Sequence, residues 1–87
     1  MAPPIRIYTT QQCWYCTRAK ALFRKDGLDF EEIDVSRDQE IRSWLVEASG
    51  GRRTVPVIFI GETCVGGHDE LVAARQDGTL ERLLASS

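Results

Sequence analysis

The chain of 87 residues has no hydrophobic run near the roughly 20 residues that a membrane-spanning helix needs. Its N-terminus also lacks the charged start and apolar core of a secretory signal. These absences predict a cytoplasmic protein without a membrane partner, or a protein whose targeting segment has been removed. Internal repeats, low-complexity stretches and linkers are missing as well, so we expect one domain over residues 1–87, with residues 1–4 as a flexible arm.

A strong excess of one charge is absent too, because 11 basic and 13 acidic side chains leave a net charge of −2. The basic residues are scattered, apart from Arg52-Arg53 and the segment from Arg18 to Lys25, so nucleic acid is not an expected partner. Cysteine occurs three times, and an odd number argues against the fully paired framework of a secreted protein. In a reducing compartment, a Cys-x-x-Cys sequence is catalytic or metal-binding more often than structural.

Two of the three cysteines, Cys13 and Cys16, stand three positions apart at the start of a segment with helical spacing of apolar residues. A short strand from Ile5 to Thr9 precedes them. Cys13 is therefore expected near a helix N-terminus, where free backbone N–H groups and the helix dipole stabilise a thiolate. Cys16 follows one turn later, with its sulfur within reach of the first. This arrangement is typical of thiol–disulfide exchange, in which one thiol attacks a disulfide and the other resolves the mixed disulfide.

Other interpretations of this motif stay open at this point. A Cys-x-x-Cys pair is also half of a zinc site, and Cys64 with His68 could supply the remaining ligands. If the segment from Thr63 to Gly66 is extended, however, Cys64 and His68 lie about 10 Å or more apart. We therefore expect no resident metal ion on this set of side chains. For Cys64, a half-buried position on a strand is favoured over a regulatory thiol.

The remaining sequence predicts alternating strands and helices. Strands are expected at 5–9, 28–35, 57–60 and 63–65, and helices at 13–25, at 37–48, at 68–76 and after Thr79. In the second helix, Ser36 is expected as the N-cap with Gln39 completing a capping box, and Trp44 is expected in the core. The order β-α-β-α-β-β-α-α joins a parallel strand–helix–strand unit to a hairpin. This is the layout of a thioredoxin-like fold, an α/β architecture with a four-stranded mixed sheet and flanking helices.

The dipeptide Val55-Pro56 is predicted to lie beside the first cysteine. In this layout the strand that begins at Val57 runs antiparallel to the first strand, so Pro56 lies near the end of that strand and near Cys13. A cis bond before proline costs far less than before other residues, and such a bond would turn the backbone of Val55 toward the thiols. That backbone could then pair with a bound peptide-like thiol, strand to strand. A proline that merely starts a strand is the alternative.

A second group of residues is predicted to reach the same end of the sheet. Gly66-Gly67 lets backbone approach a ligand closely, and the helix that starts at His68 offers free N–H groups to an anion. Asp69 could accept a ligand ammonium group, and Arg52-Arg53 adds positive charge. A small thiol peptide with an amino-acid head group and a second carboxylate would suit these groups, and glutathione fits that description.

Over essentially its whole length, the chain resembles a glutaredoxin of the dithiol class. The matching motifs are Ile7-Tyr8-Thr9, Cys13-x-Tyr15-Cys16, Arg53-Thr54-Val55-Pro56 and Gly66-Gly67-x-Asp69. The resemblance implies a redox enzyme that uses glutathione to reduce protein–glutathione mixed disulfides, small disulfides and protein disulfides. An NADPH-dependent reductase would keep the glutathione reduced. Glutathione and glutathionylated or disulfide-containing proteins are the implied partners.

The resemblance also assigns roles to individual residues. Cys13 would be the nucleophile, and Cys16 would be the resolving thiol, needed for protein disulfides and dispensable for mixed disulfides with glutathione. The groups that would bind glutathione are Tyr15 along the groove; Thr54, Val55 and Pro56 at its cysteinyl part; Gly67, His68 and Asp69 at its γ-glutamyl head; and Arg52 or Arg53 at its glycyl carboxylate.

Two positions depart from the family's pattern. The usual proline between the thiols is Trp14, which adds an exposed indole beside Cys13 and leaves the redox potential and partner preference unassigned. A common lysine is replaced by Thr10, so we expect glutathione binding weaker by about 1 kcal/mol.

The resemblance also implies a different class of function. Some family members hold a [2Fe-2S] cluster between two subunits, through the nucleophilic cysteine of each and two glutathiones, and act as carriers or sensors. A proline between the thiols tends to disfavour this, and Trp14 removes that objection. Cys13 would then be a cluster ligand in a dimer, whereas a monomer is expected otherwise. Reduction by a thioredoxin-type reductase is a third interpretation, which the glutathione-site residues disfavour.

Overall fold

A computed structural model describes residues 3–85, so Met1 and Ala2 of the predicted arm lie outside the described residues. Its elements are β1 (Ile5–Thr9), α1 (Trp14–Lys25), β2 (Glu31–Asp34), α2 (Gln39–Ala48), β3 (Val57–Ile60), β4 (Thr63–Gly66), α3 (His68–Asp77) and α4 (Thr79–Ala85). The predicted element order is confirmed. Within residues 3–85, no helix combines the length and the apolar character needed to cross a membrane.

The four strands form one mixed sheet in the order β2-β1-β3-β4. β1 pairs with β2 in parallel, and both β1 with β3 and β3 with β4 pair antiparallel. In the register of β1 and β3, Tyr8 lies opposite Val57. The C-terminal end of β1, which leads to the cysteines, therefore lies beside the start of β3, as the sequence predicts.

The sheet separates two apolar clusters. Ile7 of β1 and Ile58 of β3 face a cluster that also contains residues of α1, α3 and α4, with Phe23 and Leu71 almost fully buried. Val57 and Phe59, the alternate residues of β3, face a smaller cluster on the α2 side. Because β3 is covered on both faces, all four of its residues are buried, which explains its unbroken apolar sequence.

The prediction for β2 is too long, because the strand begins only at Glu31. The backbone N–H of Leu28 donates instead to Phe23 O at the end of α1, at 2.9 Å. Leu28 and Phe30 pack against the larger cluster without joining the sheet. At the other end, Val35 N still donates to Thr9 O at 2.8 Å.

The predicted cap of α2 is wrong. Asp38 is the N-cap, and its Oδ1 accepts from Ile41 N at 3.0 Å. Ser36 is engaged elsewhere, because its N–H donates to Asp34 Oδ1 and its Oγ accepts from Gln11 N, each at 2.8 Å. Ser36 therefore fastens the loop before the cysteines to the end of β2.

Trp44 is less buried than the helical stripe predicts, with 47% of its surface exposed. Its ring contacts those of Tyr8 and Phe59, at centroid distances of 5.8 and 6.0 Å. Trp44 thus covers the rim of the smaller cluster and does not lie inside it.

Candidate active site

Cys13 is the N-cap of α1, in extended conformation with φ −102° and ψ 108°. Its Sγ accepts a hydrogen bond from Cys16 N at 3.2 Å. The first turn of α1 contains no acidic residue. A thiolate on Cys13 therefore meets a backbone N–H donor and the positive end of the helix dipole, which together stabilise its negative charge.

The two cysteines differ in access to solvent. Cys16 is 2% exposed, on the face of α1 that carries Ala19 and Phe23 into the core, whereas Cys13 is partly exposed. Their sulfurs are paired as a disulfide, with the Cα atoms 5.2 Å apart. In the reduced protein, an incoming disulfide can reach Cys13 more readily than Cys16. Burial thus favours Cys13 over Cys16 for the first contact with an incoming disulfide.

The backbone of Val55, just before the start of β3, lies beside Cys13. The carbonyl oxygen of Val55 lies 3.8 Å from Cys13 Sγ, and the Val55–Pro56 peptide bond is cis, as the sequence allowed. Pro56 is buried, while Thr54 is exposed and Val55 partly exposed. A ligand sulfur at Cys13 would therefore lie next to polar backbone atoms at Val55.

A groove of about 340 Å³ starts at this point. Eight of the predicted glutathione-site residues line it, together with Glu70, which the sequence analysis did not select. The lining residues are Tyr15, Arg52, Thr54, Val55, Pro56, Gly67, His68, Asp69 and Glu70. The fold thus collects residues from three separate parts of the chain around one depression.

Arg53 lies outside that groove. Its side chain is exposed and borders a separate cavity of about 30 Å³ near α2, lined in part by Arg42 and Leu45. Arg52 contributes to both depressions, so only one of the two adjacent arginines faces the groove.

Arg52 is held in place by Glu70. Its Nη2 donates to Glu70 Oε1 at 2.9 Å, and the same oxygen accepts from Gly67 N at 2.8 Å. Arg52 Nε is buried and has no hydrogen-bond partner within residues 3–85. The guanidinium is thus fixed at the groove by Glu70, while its side chain stays 33% exposed. Glu70 could have been found from the sequence as the acidic third residue of α3, where a capping box places its carboxylate.

Close approach of backbone and side chains requires glycine at the start of α3. A Cβ on Gly67 would lie 2.7 Å from Arg52 Nη2 and 3.3 Å from Pro56 O. Gly66 has φ 117°, a conformation that L side chains rarely adopt. These glycines let the first backbone N–H groups of α3 face the groove without an intervening side chain, so the helix start can bind an anion.

The far wall of the groove is aromatic. The rings of Tyr15 and His68 lie 5.4 Å apart between centroids, in a tilted arrangement. Tyr15 is 51% exposed, and His68 Nδ1 lies 3.4 Å from Asp69 Oδ1. Tyr15 therefore stands over the groove, supported from below by the imidazole of His68.

A second depression, of about 520 Å³, borders the cysteines on their other side. Thr10 lines it, as does Lys20, whose Nζ pairs with Glu32 Oε2 at 2.9 Å. Hydrogen bonds from Lys20 and from Thr9 hold the pKa of Glu32 below its usual value, against the opposing effect of burial. The sequence analysis missed Lys20 because its contact with Glu32 depends on how α1 packs over β2.

Cys64 lies apart from this chemistry. It is half-buried on β4 opposite Phe59 and packs against the smaller cluster, as expected. Burial raises the pKa of the Cys64 thiol. In the described part of the chain, no three His, Cys, Asp or Glu side chains come close enough together to hold a metal ion.

Comparison with known proteins gives a consistent result. The glutaredoxin family model matches residues 5–65. A glutaredoxin of Pseudomonas aeruginosa is 48% identical over 84 residues, which cover 97% of this chain and 99% of the relative. The solution structure of glutaredoxin from Brucella melitensis has a TM-score of 0.83 at 47% identity, covering 95% of this chain and 89% of that one.

A buckwheat glutaredoxin, solved as a complex with glutathione, has a TM-score of 0.85 at 32% identity and covers 94% of this chain and 76% of its own. Together with the Cys13–Cys16 pair at the start of α1, these matches establish what kind of protein this is. The chain belongs to the glutaredoxin family of thiol–disulfide oxidoreductases.

Proposed function

We propose that the protein is a glutathione-dependent oxidoreductase that reduces protein–glutathione mixed disulfides, small disulfides and protein disulfides. The observation that carries this proposal is the groove that begins at Val55, whose carbonyl oxygen lies 3.8 Å from Cys13 Sγ, and ends at Arg52 and the start of α3. Its polar groups match the three charged groups of a glutathionyl unit bound with its sulfur at Cys13. The groove of 340 Å³ has the size of a small-ligand site.

Each part of glutathione has a counterpart in the groove. The cysteinyl part would pair with the backbone of Val55, next to the attacking sulfur. The γ-glutamyl carboxylate would accept from the first N–H groups of α3, while Asp69 faces the ammonium group. The glycyl carboxylate would accept from the guanidinium of Arg52, whose side chain is 33% exposed. Glutathione bound to the buckwheat relative supports this assignment by analogy.

The proposed reaction proceeds by two exchanges. The Cys13 thiolate attacks the glutathionyl sulfur of a mixed disulfide, a Cys13–glutathione disulfide forms, and the protein thiolate leaves. The thiolate of a second glutathione then attacks the glutathionyl sulfur held on Cys13, which releases oxidised glutathione and restores the Cys13 thiolate. For a protein disulfide, Cys13 attacks one substrate sulfur and the other substrate thiolate leaves. Cys16 then attacks Cys13 Sγ, which releases the remaining substrate thiolate and forms the Cys13–Cys16 disulfide. Two glutathione thiols reduce that disulfide through a Cys13–glutathione mixed disulfide and leave as oxidised glutathione. A reducing, cytoplasmic compartment is the setting that this cycle needs.

The test is turnover of a glutathionylated peptide, coupled to glutathione reductase and NADPH, for the wild type, Cys13→Ser and Cys16→Ser. We expect Cys13→Ser to be inactive and Cys16→Ser to remain active on the mixed disulfide. Cys16→Ser should lose activity on a protein disulfide, because the buried thiol is then missing. Absence of turnover by the wild type, with folding checked by circular dichroism, would reject the proposal.

A glutathione-ligated [2Fe-2S] dimer is the second candidate. Each chain offers the partly exposed thiol of Cys13, and the side chains beside it, Trp14 and Tyr15, are exposed enough to meet a partner subunit. Such a cluster would need Cys13 from two chains and two glutathione thiols as ligands, and it would supply electron or cluster transfer when bound. A coloured dimer that requires both Cys13 and glutathione would support this candidate, and a colourless monomer after anaerobic purification would reject it.

A further inference from the structure

Trp14 and Arg18 form an exposed unit at the rim of the active site. The guanidinium carbon of Arg18 lies 4.7 Å from the centroid of the Trp14 ring. One helical turn separates the two residues, which places their side chains on the same face of α1. Trp14 is 63% exposed, and the edge of the Tyr15 ring meets it at a centroid distance of 5.3 Å. The indole therefore presents open apolar surface with a fixed positive charge beside it.

The charge of Arg18 is available to a partner. Within residues 3–85, no carboxylate lies within salt-bridge distance of Arg18, whereas Lys20 on the same helix is paired with Glu32. α1 carries four basic side chains and no acidic one. Cation–π contact costs Arg18 little hydration and leaves its N–H groups able to donate to a carboxylate.

The position of this unit matters because the glutathionyl part of a mixed disulfide is assigned to the groove. The protein part of the substrate then has to lie outside the groove, on the exposed rim around Cys13. Trp14 lines the depression that both cysteines also line, and it does not line the groove. A substrate segment leaving Cys13 on that side therefore passes Trp14 and comes within reach of Arg18.

We propose that Trp14 and Arg18 dock the protein part of the substrate, and that they select mixed disulfides whose cysteine is flanked by acidic residues. A carboxylate of the segment accepts from Arg18, and an apolar side chain covers the open part of the indole. This inference rests on the proposed function. It adds a preference for substrates with acidic residues beside the modified cysteine, which glutathione recognition alone does not predict.

The experiment compares three glutathionylated peptides of equal length, with Glu, Gln or Lys on both sides of the modified cysteine. We expect kcat/KM of the wild type to fall in the order Glu, Gln, Lys. Arg18→Gln should lower kcat/KM on the Glu peptide about two- to fivefold, the range of one exposed charge pair. The preference should vanish near 1 M salt, where the Debye length is about 3 Å.

Arg24→Gln is the matched control. Arg24 is also exposed on α1 and also stacks on an aromatic ring, with its guanidinium carbon 5.4 Å from the centroid of Phe30. It lies nearly two helical turns further from Cys13, so its loss changes net charge equally without touching the rim. Trp14→Ala tests the apolar part, and it should reduce the preference for Glu because Arg18 loses the ring on which it rests.

A small mixed disulfide of glutathione and 2-mercaptoethanol separates this inference from the proposed function. Arg18→Gln should leave turnover of that substrate unchanged, because it has no segment to reach the rim. If the wild type fails on it, the proposed function fails. If it is turned over while the wild type shows no preference among the peptides, or Arg18→Gln and Arg24→Gln act alike, the docking inference is overturned. A wild type that dimerises through Trp14 at assay concentration, seen by sedimentation, would also overturn it.

Discussion

Cys13 Sγ lies 3.8 Å from the carbonyl oxygen of Val55, although 41 residues separate the two in the chain. The contact forms because β1 ends where β3 begins, in an antiparallel register that sets Tyr8 opposite Val57. The sheet therefore places Cys13 beside a segment of backbone whose polar atoms could pair with a bound peptide.

The first prediction concerns the reactivity of the three thiols in the reduced protein. Cys13 should react fastest with iodoacetamide at pH 7, because it is partly exposed and its sulfur accepts from Cys16 N. Cys16 is shielded, and burial raises the pKa of the Cys64 thiol. Mass spectrometry of the alkylated protein over time measures all three rates in one sample.

The pH dependence of the alkylation rate tests whether the thiolate of Cys13 is stabilised. Because its thiolate is stabilised, its alkylation rate should level off below about pH 8.5, the ordinary pKa of a free cysteine. The rate at Cys64 should still be rising there. Equal rates at Cys13 and Cys64, or a Cys13 profile centred above that pH, would contradict the assignment of the nucleophile.

The second prediction separates the two adjacent arginines. Arg52→Gln should raise KM for glutathione about two- to tenfold, because the groove loses a charged donor, whereas kcat should change little. Arg53→Gln removes the same charge from a side chain outside the groove, so KM should stay near the wild-type value. Steady-state kinetics with glutathione as the varied substrate makes the comparison. A larger effect at Arg53 would contradict the placement of the glycyl carboxylate.

The third prediction tests the fit of the groove at Gly67. Gly67→Ala brings a methyl group to about 2.7 Å from Arg52 Nη2, so the guanidinium has to leave its position on Glu70. We expect KM for glutathione to rise to an extent similar to that in Arg52→Gln. In a protein that already carries Arg52→Gln, the same change should add little, because the clashing group is gone. Additive effects of the two substitutions would show that Gly67 acts independently of Arg52.

The fold could be predicted from the sequence because the residue patterns that indicate its strands and helices are local. The unbroken apolar run from Val57 to Ile60 indicates a central strand, and the helical spacing after Cys13 indicates α1. Ser36 was misassigned as a cap because Asp38 offers an equivalent side chain two residues later. The choice between them depends on Gln11, because its backbone N–H donates to Ser36 Oγ in the folded protein.

Most of the residues that line the groove could be predicted from the sequence, but the contacts among them could not. Val55, Pro56 and Gly67 follow from motifs and from strand order. Whether Arg52 or Arg53 faces the groove does not follow, because neighbouring residues of an extended segment point to opposite sides. The contact of Glu70 with Gly67 N follows a local capping pattern, whereas its contact with Arg52, 18 positions away, follows from no local pattern.

The last prediction concerns stability and lies away from the active site. Arg75 on α3 binds Asp26 at the end of α1 through two hydrogen bonds, with Nε 2.8 Å from Oδ2 and Nη2 2.7 Å from Oδ1. The hydrogen bond from Arg75 holds the pKa of Asp26 below its ordinary value of 3.8, against the opposing effect of burial. The pair joins the helix that begins at Cys13 to the helix that begins at the groove.

A double-mutant cycle of Asp26→Asn and Arg75→Gln should give a coupling free energy of about 0.5–1 kcal/mol at pH 7, the upper range for a solvent-screened pair. Because the folded pKa of Asp26 is depressed, the coupling should be constant from pH 7 to about pH 5. It should decline below the ordinary value of 3.8, as Asp26 becomes protonated in the folded protein too. Urea unfolding of the four proteins at several pH values measures it. A coupling that persists unchanged at pH 3, or that is insensitive to about 1 M salt, would mean that packing of the side chains and not their charge joins the two helices.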